Sequence, residues 1–184
     1  MRTITTNAPQ APNTRISDDF IHRSYTITTI TPVFGGGHEA GFVETDDAVV
    51  VRGTSVRGHL RFWWRATQGL SYENVETLFQ REGEIWGTTK EPGKVSIALD
   101  IISFKRERCG TNNGKFISSY PSYALFSFQP NNKDATIRDC ITDLTYTLHV
   151  SCPADVFTHV ESALSAWVNF GGIGSRTRRG CGAL

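Results

Sequence analysis

The sequence predicts an α+β fold, a ferredoxin-like antiparallel sheet backed by two helices. Short segments alternate β-branched or aromatic residues with polar ones, and two longer segments have helical periodicity. Their order is strand, helix, strand, strand, strand, helix, followed by a glycine-rich loop. With 184 residues and 39% hydrophobic content, the chain is large enough for the core of one domain.

The N-terminal part predicts a leader, a strand and a loop. Residues 1–20 are rich in Thr, Asn and Pro without periodicity, which favours a flexible leader. Residues 24–33 alternate and are β-branched, so they predict a strand that Pro32 closes. Residues 49–51 form a candidate edge strand. Between these strands lies a loop with Gly35, Gly36, Gly37, His38, Asp46 and Asp47.

The central part predicts two helices. Residues 54–70 have helical periodicity, with Thr54 or Ser55 as the N-cap and Gly69 near the end. Residues 72–80 predict a second, shorter helix, after which residues 85–87 lead into a turn.

The C-terminal half predicts three strands and a helix. The strands are residues 94–104, 123–128 and 144–150, with a polar loop at 106–121. Residues 155–170 give the most regular helical pattern in the chain. Its apolar face is made of Val156, Val160, Ala163, Leu164, Trp167 and Phe170.

Charge and cysteine content narrow the functional classes. The formal net charge of +1 neither favours nor excludes a polyanionic partner, so a nucleic acid would have to bind local basic patches. The four cysteines have no Cys-x-x-Cys spacing, so we expect no metal and no cofactor. Without an apolar run of membrane-spanning length or a signal peptide, we expect a cytoplasmic protein with reduced thiols.

The first predicted helix carries a stripe of arginines. Arg57, Arg61 and Arg65 recur every four residues, and like charges at this spacing destabilise an isolated helix by about 0.2–0.5 kcal/mol per pair. The stripe therefore predicts compensation, either by bound phosphates or by carboxylates among Glu73, Glu76 and the acidic run near Asp46. Trp64 beside it is a candidate for stacking on a base, although a tryptophan at helical spacing is more often part of the core.

The C-terminal residues form a second basic segment. Three arginines, Arg176, Arg178 and Arg179, lie between two pairs of glycines, Gly172 with Gly174 and Gly180 with Gly182. No acidic residue lies among them. Glycine-rich loops can present successive N–H groups to an anion, and arginine forks match phosphate oxygens. The alternative for such a segment alone is a helix stop followed by a basic tail.

Four motifs in this order resemble the RAMP proteins of CRISPR effector complexes. The terminal Gly172-Ile173-Gly174, five residues and Gly180-Cys181-Gly182 resemble the RAMP glycine-rich loop. Residues 55–66 are similar to the arginine- and tryptophan-rich helix of the first-subunit family of type III-B Cmr complexes. Residues 31–37 and 85–87 resemble the family's strand-end motif and Phe-Gly turn. Cys181 stands where an aromatic residue is common, and the chain stops where family members usually continue into a second, related half.

The resemblance implies an RRM-related domain over residues 21–184. It implies a non-catalytic RNA-binding subunit of a Cmr ribonucleoprotein in antiviral defence, which grips the RNA backbone near the 3′ end of the guide. The implied partners are crRNA, target single-stranded RNA and other Cmr or RAMP subunits, with no membrane and no small-molecule substrate. The implied RNA-binding residues are Gly36, His38, Arg57, Arg61, Trp64, Arg65, Gly172, Gly174, Ser175, Arg176, Arg178, Arg179 and Gly180.

Two other functions stay open from the sequence. One is a metal-independent endoribonuclease that processes CRISPR repeat RNA, with His38 or His59 as general base, although no second positioned group accompanies either histidine. The other is an architectural subunit that contacts only proteins, through exposed aromatic residues and the helix at 155–170.

Overall fold

The computed structural model describes the chain from residue 19 onward, with several gaps. The described residues are 19–39, 42–43, 46–47, 50–108, 111–112, 115–116 and 139–184. The elements are β1 (Phe20–Thr28), β2 (Val33–Phe34), α1 (Gly53–Gln68), α2 (Val75–Trp86), β3 (Ser96–Arg108), β4 (Thr111–Asn112), β5 (Lys115–Phe116), β6 (Asp139–Pro153) and α3 (Ala154–Phe170). Single turns of 3-10 helix cover Gly69–Ser71 and Thr177–Arg179.

The antiparallel sheet is built around β6. β1 pairs with it from Phe20↔Pro153 to Thr28↔Thr145, and β2 continues along the same edge. β3 pairs with the opposite edge, with register shifts on either side of Ser103. Every strand neighbour of β6 is antiparallel, which confirms the predicted α+β class.

The core lies between one face of this sheet and the helices. Val56, Leu60 and Trp64 of α1 meet α3 and the inward side chains of β6, and all three are fully buried. α1 and α3 thus back the sheet as predicted, because each carries an apolar stripe at helical spacing. α2 packs beside α1 as a third helix.

The first predicted strand is interrupted. β1 ends at Thr28 and pairing with β6 resumes only at Val33, because the intervening residues turn toward the C-terminus. The Ile30 N–H donates to the Ala183 carbonyl oxygen at 2.9 Å. In a ferredoxin-like fold a final strand follows the last helix. Here the glycine-rich loop follows α3 and packs against residues 30–34.

Both predicted helix starts were wrong by a few residues. α1 begins at Gly53 with Arg52 as N-cap, in place of Thr54 or Ser55, and no side chain caps it. α2 runs from Val75 to Trp86 in place of residues 72–80, because the Asn74 side chain accepts the Thr77 N–H at 2.9 Å and fixes the start. Residues 85–86 therefore end a helix, and Gly87 turns the chain with a φ of 91°.

The remaining predictions have mixed outcomes. β3 extends through residues 106–108, which were assigned to a polar loop, while α3 matches its prediction. Val50 and Val51 are not in a strand, and Val49 lies outside the described residues, as do the strand at 123–128 and the leader up to residue 18. No helix among the described segments is long and apolar enough to cross a membrane.

One expectation about the cysteines needs correction. Cys140 is disulfide-bonded, in contrast to the expected set of reduced thiols. Cys152 and Cys181 are free and buried, and burial raises the pKa of both thiols.

Candidate nucleic-acid interface

The arginine stripe, defined as Arg57, Arg61 and Arg65, faces α2. Arg61 Nε and Arg65 Nη1 each lie 2.7 Å from the same oxygen, Glu82 Oε1. Glu82 is fully buried, whereas the two arginine side chains are 35% and 40% exposed. Arg57 Nη1 donates to the Trp86 carbonyl oxygen at 3.1 Å, and burial, followed by the charge of Arg61, lowers the pKa of Arg57. The stripe therefore holds α2 to α1.

The compensating carboxylate is not one of those expected from the sequence. Glu82 takes that place, and Asp47 pairs instead with Arg106 at 2.7 Å. The sequence did not indicate Glu82 as a partner of the stripe, because the second helix was predicted to end at residue 80. One carboxylate against three guanidinium groups leaves the stripe with part of its positive charge.

Trp64 is a core residue, so the prediction that it stacks on a base is wrong for this conformation. Its side chain has no exposed surface, and its Nε1 donates to His159 Nδ1 at 3.4 Å. A base would have to displace both α3 and Tyr72, whose ring lies 5.8 Å from the indole. The core alternative therefore holds for this tryptophan.

The opposite flank of α1 faces the glycine-rich segments. Ser55 and His59 lie about 200° around the helix from Arg57 and Arg61, since an α-helix has about 3.6 residues per turn. We call this side, which also carries Phe62, the loop flank. It borders a cavity that we call the glycine pocket, lined chiefly by Gly35, Gly36, Arg52, Ser55, His59 and Gly174.

Arg52 anchors the glycine pocket. Its Nη2 donates to the Gly36 carbonyl oxygen at 2.9 Å and lies 3.5 Å from that of Gly37. Its Nε is buried and has no hydrogen-bond partner in the part of the chain that the structure describes. A buried guanidinium donor left unpaired favours an incoming acceptor such as a phosphate oxygen. Sequence reasoning missed Arg52 because it precedes the helical pattern.

Two glycines that line this pocket meet each other. Gly36 has a φ of 90°, and a Cβ on it would lie 2.8 Å from the Gly174 Cα. Gly174 also has a positive φ, 79°. Only glycine fits this approach without strain, so the two predicted glycine motifs are brought together as one structural unit.

The C-terminal loop, residues 171–184, is folded back on itself and on residues 30–34. Ile173 N–H donates to the Gly182 carbonyl oxygen, and Ser175 N–H donates to that of Phe34. Gly182 N–H donates to Pro32, and Ala183 N–H donates to Thr31 Oγ1. Since Cys181 and Gly182 are also buried, the alternative of a loose basic tail is wrong.

Hydrogen bonding within the chain limits the expected anion binding by this loop. The N–H groups of residues 173, 175 and 179–183 all donate to oxygens of this chain. These N–H groups are therefore not available to bind a phosphate. Phosphate contact would come from side chains.

The loop arginines project around an open depression. Arg176, Thr177, Arg178 and Arg179 line it, and Arg178 and Arg179 are exposed. Arg176 has a φ of 64°, an uncommon conformation for a non-glycine residue, and its carbonyl oxygen accepts the N–H groups of Arg179 and Cys181. The 3-10 turn then ends at Gly180, whose φ is 78°.

The two arginine groups contact different elements. The stripe contacts α2, whereas the C-terminal loop continues from α3 and meets residues 30–36. Gly36 and Gly174 line the glycine pocket beside the loop flank, and Ser175 pairs with Phe34. Arg57, Arg61 and Arg65 lie on the other side of α1.

The two histidines proposed as general bases differ in their surroundings. His38 is exposed beside the glycine turn. The His59 ring is stacked 5.7 Å from the Trp167 ring, and burial lowers its pKa. No group of three His, Cys, Asp or Glu residues among the described positions could hold a metal ion.

A Ser-His-Asp chain lies on the open face of the sheet. Ser24 Oγ is 2.8 Å from His149 Nδ1, and His149 Nε2 is 2.9 Å from Asp100 Oδ2. All three are on paired strands, where the backbone N–H groups serve the ladders, so no pair of donors is placed to stabilise an oxyanion. These three side chains form a hydrogen-bond network across the strands.

Comparison with known proteins identifies the family. The RAMP superfamily matches residues 26–184. This protein belongs to the RAMP superfamily. The match begins within β1 and includes every motif quoted above, which confirms the resemblance derived from the sequence.

Similar RAMP proteins include subunits of Cmr complexes. The chain is 28% identical to the CRISPR system Cmr subunit Cmr1-2 of Pyrococcus furiosus over 87% of its own length and 92% of that protein. It is 28% identical to Cmr1-1 of the same organism, over 73% of this chain and 40% of that one. The crystal structure of apo Cmr1 from P. furiosus superposes with a TM-score of 0.66 at 26% identity, over 89% of this chain and 48% of that one.

A cryo-EM structure shares the fold of this RAMP protein. It is the type III-B Cmr-beta complex bound to cognate target RNA, in which one chain matches with a TM-score of 0.53 at 17% identity, over 90% of this chain and 58% of that one. The chain therefore spans about half the length of most of these relatives and nearly all of Cmr1-2.

Proposed function

We propose that this protein is a non-catalytic, RNA-binding subunit of a type III-B Cmr complex. It holds the sugar-phosphate backbone of single-stranded RNA near the 3′ end of the guide, together with other Cmr subunits. Its RAMP membership and its similarity to Cmr1-2 over nearly the full length of that protein support this assignment. A shared fold with a chain of a Cmr-beta complex bound to target RNA agrees with it.

The glycine pocket is the observation that carries the proposal. It brings together the ends of three separate segments, and it is lined by Arg52, whose buried Nε has no hydrogen-bond partner in the described part of the chain. The basic C-terminal loop continues from the same pocket. A polyanion that enters at Arg52 would therefore meet the loop arginines next.

Backbone contact fits a guide-binding subunit. A protein that must accept any guide sequence gains affinity from phosphates, and base pairing supplies the specificity. Arginine forks match phosphate oxygens without reading a base. The proposal therefore predicts salt-dependent binding with little dependence on sequence.

Titration of labelled single-stranded RNA over a range of salt concentrations tests this function. We expect log affinity to fall linearly with log salt, with a slope of about 0.7 per neutralised phosphate. Arg178→Ala with Arg179→Ala should lower the slope by about 1.4. The matched control is Lys90→Ala, an exposed cation in the turn after α2, which should leave the slope unchanged.

The same samples separate binding from cleavage. We expect shifted but intact RNA, with and without EDTA. Site-specific cleavage that is lost on His38→Ala or His59→Gln would overturn the non-catalytic assignment. Salt-independent or absent RNA binding would overturn the RNA-binding assignment and favour a subunit that contacts only proteins.

A further inference from the structure

Three aromatic rings of α1 and α3 lie together at the surface. Phe62 is 51% exposed and Phe170 is 78% exposed, and Trp63 is half-buried between them. The Phe62 and Trp63 rings meet edge to face at 5.4 Å, and the Trp63 and Phe170 rings lie 6.3 Å apart. We call these residues the aromatic step.

The aromatic step lies at the edge of the core, against which Trp63 packs. The other three tryptophans, Trp64, Trp86 and Trp167, are at most 2% exposed and fill the interior. Two of the three rings of the step instead keep at least half of their surface open to water. Exposed aromatic rings in mutual contact are typical of a binding surface.

The step adjoins the elements assigned to RNA. The chain leaves α3 at Gly171 directly against Trp63, since a Cβ on Gly171 would lie 2.8 Å from Trp63 Nε1. From there the C-terminal loop leads to its arginines. On the other side the stacked His59 and Trp167 rings connect the step to the glycine pocket.

We propose that the aromatic step stacks one or two unpaired nucleobases of the bound RNA. This inference rests on the proposed function and adds to it a base-binding subsite beside the phosphate contacts. Each nucleobase has a π-face, so stacking tolerates any sequence, as a guide-binding subunit requires. The C-terminal loop begins at the step, at Gly171, and its arginines supply the charge that an isolated apolar patch would lack. The stacking residue is Trp63, one position before the buried Trp64.

Tryptophan fluorescence offers a direct readout, because Trp63 is the tryptophan with exposed surface. RNA should quench it, and the quench should disappear in Trp63→Phe. An oligonucleotide of the same length with abasic positions should quench less. Phe62→Ala with Phe170→Ala should lower affinity for normal RNA by about tenfold or more at every salt concentration, with an unchanged salt slope.

Matched variants keep this test interpretable. Phe79→Ala removes a ring that is 58% exposed on α2 and should bind RNA normally. Phe62→Tyr with Phe170→Tyr should restore affinity, because tyrosine also stacks. Thermal unfolding of each variant checks the fold, and abasic RNA should bind the double alanine variant and the wild type about equally.

The outcomes distinguish a failure of the stacking proposal from a failure of the proposed RNA-binding function. Normal salt slopes with no quench and full affinity of the double alanine variant would overturn stacking and leave backbone binding standing. Absent salt-dependent binding by the wild type would overturn both. Loss of association with other Cmr subunits, with RNA affinity unchanged, would make the step a protein interface and also overturn the proposal.

Discussion

Arg61 Nε lies 2.7 Å from Glu82 Oε1, and that carboxylate has no exposed surface. Arg65 shares the same oxygen, while Glu82 Oε2 is buried without a hydrogen-bond partner in the described part of the chain. A motif that resembles an RNA-binding stripe is therefore also the polar connection between α1 and α2. Replacement of these arginines would therefore destabilise the packing of α2 on α1, whether or not they bind RNA.

The first prediction concerns the stability of this cluster. Arg61→Ala with Arg65→Ala leaves a buried carboxylate without a cation, so we expect a loss of about 3–5 kcal/mol in the free energy of unfolding. Addition of Glu82→Gln should recover most of that loss, because the buried charge is then gone. Urea denaturation measures both variants, and equal stability of the two would contradict the role of Glu82.

The second prediction concerns Arg52. Arg52→Ala removes a cation from the glycine pocket and its hydrogen bond to Gly36, so we expect about a fivefold to tenfold loss of RNA affinity at low salt. Arg52→Lys keeps the charge but not the forked guanidinium donors, so it should recover only part of the lost RNA affinity. Filter binding measures the loss, with Arg81→Ala as control because Arg81 pairs with Glu84 on α2. Normal RNA affinity of the alanine variant would exclude the glycine pocket as an RNA-binding site.

The third prediction compares two glycines of the C-terminal loop. Gly180 has a φ of 78° and open space around its Cα, so Gly180→Ala should cost only about 1–2 kcal/mol of backbone strain. A Cβ on Gly182 would lie 2.0 Å from the Ile173 carbonyl oxygen, so Gly182→Ala should cost more than about 3 kcal/mol. Thermal unfolding checks the order. A reversed order would mean that the loop is not packed as described.

The fourth prediction concerns pH. Burial lowers the pKa of His59 and also that of His159, where the charge of Arg81 adds to the effect. The unfolded chain therefore binds more protons than the folded one, so stability should fall as pH drops below the ordinary histidine pKa of 6.5 and level off below the depressed values. His59→Gln should make the fall shallower. Urea midpoints at about pH 7.5 and about pH 5.5 measure it, and equal midpoints for the wild type would contradict it.

Much of the fold was predictable because it depends on local patterns. The apolar faces of α1 and α3 and the alternation in β3 and β6 follow directly from side-chain periodicity. The start of α2 was placed three residues too early, because Asn74, whose side chain caps the helix, was taken as part of it. The break after Thr28 depends on the C-terminus, which no local pattern contains.

The site was harder to predict because its contacts are long-range. Trp63 and Trp64 are adjacent, and apolar residues on both flanks of the stripe leave the helical wheel without a unique inward direction. Glu82 lies 21 residues from Arg61, in a helix whose end was placed too early. The glycine motifs were visible, but their contact through Gly36 and Gly174 required the folded chain.

We propose that RNA lies along the glycine pocket and the loop arginines and not on the arginine stripe. The most direct test compares the salt slope of single-stranded RNA affinity for two triple variants. Replacement of Arg52, Arg178 and Arg179 by Ala should lower the slope by about 2, whereas Arg61→Gln, Arg65→Gln and Glu82→Gln together should leave it unchanged. The opposite pattern would contradict the claim and return the RNA to the stripe.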